Sequence, residues 1–66
     1  MSIFKNIKVL CAERNTTIAA LEKHLGFPRG SVYKWDEHSP SIMKVFQVAK
    51  YLDVSIDELV KEKAGE

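Results

Sequence analysis

Apolar residues recur every three or four positions along almost the whole chain, and strict alternation of apolar and polar residues is absent. The first pattern is typical of amphipathic α-helices, whereas alternation is typical of half-buried strands. Glycine and proline interrupt the pattern at Gly26, Pro28 and Pro40, so no helix can continue for long. The sequence therefore predicts an all-α fold made of short helices.

Local signals place the ends of five predicted helices. Thr17, Ser41 and Ser55 are good N-cap residues, because their hydroxyl oxygens can accept a hydrogen bond from the first helical turn. Gly26 stands where a left-handed residue commonly ends a helix. Pro28 suits the start of the third helix, where its missing N–H costs nothing. The predicted apolar stripes are, in chain order, Ile3, Phe4, Ile7, Leu10 and Cys11; Ile18, Leu21 and Leu25; Val32 and Trp35; Ile42, Val45, Phe46, Ala49 and Leu52; and Leu59 and Val60.

These helices must share one core, because isolated helices shorter than ~12–15 residues are marginal in water. Trp35 and Phe46 are expected near its centre, since large aromatic side chains dominate burial. The 66 residues leave room for a single domain, residues 1–66. A chain of this size buries only ~60% of the surface that its unfolded form exposes.

Such small domains commonly need an additional source of stability. A single cysteine, Cys11, excludes an intrachain disulfide. Together with His24 and His38 it makes a poor ligand set for zinc, so no metal and no cofactor are expected. Dimerisation is the remaining candidate, and Tyr51, Ile56 and Val60 are predicted at the interface.

Neither a signal peptide nor a membrane span is expected. The first five residues become polar too early for a signal sequence, and no run approaches the ~20 apolar residues of a spanning helix. The lone cysteine fits a reducing cytosol, so the predicted location is the cytoplasm. Residues 61–66 are expected to form a frayed tail.

The second and third predicted helices, about residues 17–37, are joined by a turn that contains glycine, which is a helix-turn-helix arrangement. In this motif the second helix enters the major groove of DNA. Arg29 can donate two hydrogen bonds to guanine O6 and N7, and Lys34 can reach guanine or phosphate. Gly30 permits close approach of the backbone, and Tyr33 offers a ring edge and a hydroxyl. Thr17, at a helix N-terminus, suits a phosphate oxygen.

The stretch from about residue 6 to residue 60 resembles the phage Cro/C1 repressor-type (lambda repressor-like) helix-turn-helix family. The residues that carry the resemblance are Thr17, Leu21, Leu25-Gly26-Phe27, Val32, Trp35, Pro40-Ser41, Val45, Ala49-Lys50, Leu52 and Val54 to Leu59. It implies five helices and operator binding as a dimer. The resemblance also implies base reading by Arg29, Gly30, Tyr33 and Lys34, and phosphate contacts by Thr17, Ser31, Ser39 and Ser41. An enzyme is not expected, because no residues of the sequence support a catalytic site.

The chain departs from the family pattern at a few positions. Ile18 replaces a common glutamine that contacts phosphate, and Glu22 stands where a small residue is usual. The loop after the third predicted helix carries Asp36 and Glu37, which would oppose phosphate. Ile18 and the acidic loop support the alternative that the chain is a protein-interaction module, which uses the same scaffold to bind another regulator or RNA polymerase.

The formal net charge of +1 does not by itself indicate a nucleic-acid binder. The charges are segregated, however, with +4 in residues 1–50 and −3 in residues 51–66. A basic DNA-facing surface can therefore coexist with a nearly neutral total. The sequence predicts a sequence-specific regulator that binds double-stranded DNA as a homodimer, with no small-molecule ligand. Whether it acts alone or as part of a longer repressor stays open.

Overall fold

A computed structural model describes residues 3–61. Within this range four α-helices and one 3-10 helix form, without any strand. They are α1 (Ile3–Glu13), α2 (Ile18–Leu25), the 3-10 helix (Val32–Asp36), α3 (Ile42–Leu52) and α4 (Ile56–Val60). The all-α prediction is confirmed. Apart from Lys61, the predicted frayed tail lies outside the described residues.

The prediction of five α-helices is wrong, because the third element is a short 3-10 helix. Pro28 does not open it: the carbonyl of Pro28 accepts a hydrogen bond from the N–H of Ser31 at 3.1 Å, which closes a tight turn. Gly30 occupies the third position of this turn with φ +84°. That left-handed residue interrupts the helical backbone, so regular structure starts only at Val32.

The three predicted N-caps are confirmed. Thr17 Oγ1 accepts a hydrogen bond from the N–H of Ala20 at 3.1 Å. Ser41 Oγ and Ser55 Oγ accept in the same way from the residues three positions ahead of them. The starts of α2, α3 and α4 are therefore fixed by local chemistry.

Three helices end at a left-handed residue that turns the chain back towards the core. These residues are Asn15 (φ +57°), Gly26 (φ +75°) and Asp53 (φ +58°). In each case the following N–H donates to a carbonyl five residues earlier: Thr16 to Cys11, Phe27 to Glu22, and Val54 to Ala49. This pattern satisfies helix carbonyls that would otherwise lack a partner.

Every helix contributes to a single apolar core. Its members are Ile3, Ile7, Cys11, Ile18, Leu21, Val32, Trp35, Val45, Val48, Ala49, Leu52 and Leu59. The expected burial of Trp35 is confirmed, with 8% of its surface exposed. The core thus holds the 3-10 helix against α1.

The predicted inward stripe of α3 is partly wrong. Phe46 is 48% exposed and Ile42 is 66% exposed, although both were expected in the core. The buried stripe instead includes Val48, with Val45, Ala49 and Leu52. Because α3 is apolar on more than one side, two sets of residues fit the helical period, and packing selects the set that excludes Phe46.

Asn6 of α1 and Arg14, which directly follows α1, donate hydrogen bonds to the ends of other helices. Asn6 Nδ2 donates to the carbonyl oxygens of Leu59 at 2.6 Å and Lys61 at 2.8 Å. Arg14 Nε donates to the carbonyl oxygen of Leu52 at 2.6 Å. These carbonyls belong to helix C-termini, where intrahelical donors are missing. The contacts fix α3 and α4 relative to α1.

Candidate nucleic-acid interface

The segment from Arg29 to Lys34, called the reading segment below, combines the tight turn with the start of the 3-10 helix. Val32 and Trp35 point into the core, and Trp35 also packs against the ring of Phe27, with 5.9 Å between ring centroids. Between these anchors, Tyr33 and Lys34 project outwards. The outward side of the segment is therefore polar and aromatic.

All four residues predicted to read bases lie in the reading segment. Arg29, Tyr33 and Lys34 are exposed, and Gly30 is partly exposed. A β-carbon added to Gly30 would meet nothing within 4 Å, so open space surrounds this point of the backbone. The segment thus exposes a guanidinium group, an ammonium group and a phenol to solvent.

Tyr33 has two sides with different surroundings. Its ring lies 4.9 Å from the ring of Phe4 on α1, measured between centroids, yet 57% of the residue is exposed. Packing against Phe4 limits the freedom of the ring while the rest of the side chain faces solvent. A ring held in this way can contact DNA at a lower entropic cost.

The residues predicted to bind phosphate are in different environments. Thr17, Ser39 and Ser41 are exposed. Thr17 and Ser41 already accept a helix-capping hydrogen bond, but a hydroxyl group can still donate its own hydrogen. The Oγ atom of Ser31 is buried and makes no hydrogen bond to the described residues. A phosphate contact by Ser31 would need a change of its side-chain rotamer.

Lys8 is a candidate that the sequence analysis missed. A shallow depression beside Thr17 is lined by Lys8, Thr16 and Tyr33. This lysine belongs to α1, nine residues before Thr17, and only the packing of α1 against the reading segment brings them together. The only sign of Lys8 in the sequence is its position on the exposed face of the predicted first helix. Many lysines that merely face solvent have the same kind of position.

Two departures from the family pattern have a structural explanation. Ile18 is buried in the core, so its side chain does not occupy the position of a surface glutamine. Glu22 is also buried, and both of its carboxylate oxygens accept hydrogen bonds from backbone N–H groups of the reading segment. Both residues therefore support the local fold.

The acidic pair Asp36 and Glu37 follows the reading segment. Both residues border a groove whose other walls include Ile3, Pro40 and Val60. The groove therefore lies between the end of the 3-10 helix, α1 and α4. Asp36 and Glu37 are close to the reading segment in the sequence. The orientation of bound DNA therefore decides whether the charges of these two residues oppose phosphate.

Two features are absent from the described residues. Across residues 3–61, no group of three or more His, Cys, Asp or Glu side chains could hold a metal ion. None of the helices in this range is long and apolar enough to cross a membrane.

Comparison with known protein families identifies the domain. A family model described as the Cro/C1-type HTH DNA-binding domain matches residues 6–64, which is most of the chain. Neither the curated proteins nor the solved structures gave a significant match. The family match agrees with the capped α2, the glycine turn and the outward polar surface of the reading segment. The chain therefore belongs to the Cro/C1-type helix-turn-helix DNA-binding domain family.

Proposed function

We propose that this protein is a sequence-specific transcriptional regulator of the phage- or prophage-repressor type, which acts in the cytoplasm. It binds a pseudo-palindromic operator as a symmetric dimer and represses by occupying a promoter. The observation that carries this proposal is the joint exposure of Arg29, Tyr33 and Lys34 in a short segment that the buried Val32 and the adjoining buried Trp35 hold in place.

The proposed roles follow from side-chain chemistry. Arg29 donates two hydrogen bonds to a guanine, which is the commonest specific contact in the major groove. Lys34 contacts guanine or phosphate, and the ring edge of Tyr33 packs against a thymine methyl. Gly30 allows the backbone to approach the bases, since open space surrounds it.

Phosphate contacts position the reading segment without selecting a sequence. We assign them to Thr17 at the start of α2 and to Ser39 and Ser41 before α3, with Ser31 as a further contact after a rotamer change. Lys8 is added, because it shares the depression beside Thr17 and Tyr33. A lysine there would neutralise the phosphate that the Thr17 hydroxyl binds.

The proposed dimer interface uses the exposed apolar side of α3. Ile42, Met43 and Phe46 are 66%, 65% and 48% exposed, and they lie within about one turn of one another. Phe46 also lines a groove with Ile56. Three large apolar side chains on one exposed helix face favour self-association, because contact would remove them from water.

The three interface residues predicted from the sequence differ in whether they lie beside this exposed side of α3. Ile56 is partly buried and adjoins Phe46 in the groove. Tyr51 packs against His24, with 4.7 Å between ring centroids, and Val60 packs against the core. We therefore place Ile56 at the edge of the proposed interface, beside Phe46, and Tyr51 and Val60 outside it.

Selection of binding sites from random double-stranded DNA tests DNA reading. We expect an inverted repeat with half-sites about 10 bp apart, or a multiple of that spacing. Affinity for the selected duplex should fall linearly on a plot of log affinity against log salt concentration. Failure to bind any duplex at low salt would contradict the proposal and favour a protein-interaction module.

A pair of variants tests the dimer. Phe46→Glu places a charge in the proposed interface, so it should convert a dimer into a monomer in sedimentation equilibrium at tens of micromolar. Val9→Glu is the matched control, because Val9 is an exposed valine on α1. It should leave the dimer intact. A dimeric Phe46→Glu variant would show that the interface lies elsewhere.

A further inference from the structure

Glu22 is the only buried charged residue in the described part of the chain, with 2% of its surface exposed. Its Oε1 atom accepts a hydrogen bond from the N–H of Gly30 at 2.9 Å, and its Oε2 atom accepts one from the N–H of Val32 at 3.0 Å. Burial of a carboxyl group is costly unless its oxygens find donors. Here both oxygens do so, and both donors belong to the reading segment.

The two N–H groups that Glu22 binds lie where the reading segment offers few acceptors of its own. A 3-10 helix has poorer hydrogen-bond geometry than an α-helix and is used in short pieces. Val32 is its first residue, and the N–H groups at a helix start lack intrahelical partners. The N–H of Gly30 lies in the preceding turn. Glu22 supplies acceptors to both groups from the neighbouring helix α2.

We infer that Glu22 is a positioning residue for DNA recognition, an inference that rests on the proposed function. Its carboxylate fixes the backbone between the reading side chains, because Gly30 follows Arg29 and Val32 precedes Tyr33. Thr17, assigned to phosphate, caps the same helix α2. Glu22 thereby sets the placement of the base-reading groups relative to a phosphate contact, without touching DNA itself.

Loss of this anchor should affect discrimination between sequences more than general affinity. Two hydrogen bonds from one arginine to guanine require a defined position and orientation of the guanidinium group. Attraction to phosphate is electrostatic and independent of sequence. A loosened reading segment would therefore keep its attraction to phosphate and lose part of the hydrogen bonding to guanine.

Glu22→Gln is the test, because it keeps the size of the side chain but replaces one acceptor oxygen with an NH₂ group that only donates. Glu13→Gln is the matched control, since it makes the same change of charge at an exposed position of α1. The probes are the duplex selected by the wild-type protein and a duplex of equal length and composition with shuffled sequence. Circular dichroism records whether each variant is folded.

The measured quantity is the ratio of the affinities for the selected and the shuffled duplex. We expect folded Glu22→Gln to lose about tenfold in this ratio, equivalent to about 1.4 kcal/mol, and Glu13→Gln to retain it. An unchanged ratio in folded Glu22→Gln would overturn the inference, even if its melting temperature fell. If the wild-type protein selected no duplex at all, the proposed function would fail instead.

A second measurement covers the case in which Glu22→Gln does not fold. Amide hydrogen exchange of the wild-type protein follows Gly30 and Val32 directly. We expect both N–H groups to be protected, and their protection to increase when the selected duplex binds. Exchange as fast as that of a free amide, or protection unaffected by DNA, would contradict the positioning role.

Discussion

Gly30 offers a substitution whose energetic cost can be worked out from the structure. Its φ of +84° lies in the left-handed region, where any residue with a β-carbon is strained. The space around it is open, because an added β-carbon would meet nothing within 4 Å. The destabilisation caused by Gly30→Ala therefore comes from backbone strain alone and not from a steric clash.

The expected loss is about 1–2 kcal/mol, the cost of placing an L-residue in the left-handed conformation. For a domain of this size each kcal/mol lowers the melting temperature by roughly 4–8 °C. Thermal unfolding followed by circular dichroism measures this shift. The protein concentration should be held constant, because the stability of a dimer depends on concentration.

Gly26→Ala is the matched control for this prediction. Gly26 has φ +75° and equally open surroundings, but it ends α2 and does not belong to the reading segment. Both variants should therefore lose similar stability, whereas only Gly30→Ala should reduce discrimination between the selected and the shuffled duplex. A stability loss above about 3 kcal/mol at Gly30 would indicate a clash, and no loss would refute the left-handed turn.

Three further predictions concern the reading segment, the acidic loop and the core. Arg29→Ala should cost about 1–3 kcal/mol of affinity for the selected duplex and relax the preference at one base pair; an equal loss on every sequence would assign Arg29 to phosphate. Glu37→Lys should strengthen binding to the shuffled duplex in a gel-shift titration if this loop faces the DNA backbone, and unchanged affinity would place the loop away from DNA. Burial raises the pKa of the Cys11 thiol, and the nearby Arg14 partly opposes this effect. Cys11 therefore adds stability that is fully present below the ordinary pKa of an unfolded thiol and is lost as the pH rises through the higher pKa of the folded state. The free energy of unfolding should fall more steeply above the unfolded pKa in the wild type than in Cys11→Ala, and equal slopes would contradict the argument.

Features that depend on neighbouring residues in the chain could be predicted from the sequence. Thr17, Ser41 and Ser55 cap their helices as expected, because a cap needs only a hydroxyl group and an N–H three residues ahead. The burial of Val32 and Trp35 could also be predicted, since residues three apart share one face of a helical segment.

Features that depend on tertiary packing could not be predicted in the same way. The 3-10 helix arises where the left-handed Gly30 and the carboxylate of Glu22 fix the backbone, and Glu22 is eight residues away from Gly30. The exposure of Phe46 depends on which side of the apolar helix α3 meets the core. Lys8 reaches the depression beside Thr17 only through the packing of α1.

An NMR titration with the selected duplex tests the central claim, which is that the reading segment contacts DNA. The largest changes of amide chemical shift should occur at residues 29–34 and at residues 17–20. The amide shifts of the apolar face of α3 should change only if the protein dimerises on the DNA. Shifts confined to α3 and α4, with residues 29–34 unchanged, would contradict the account. They would show that the segment held by Glu22 does not read DNA.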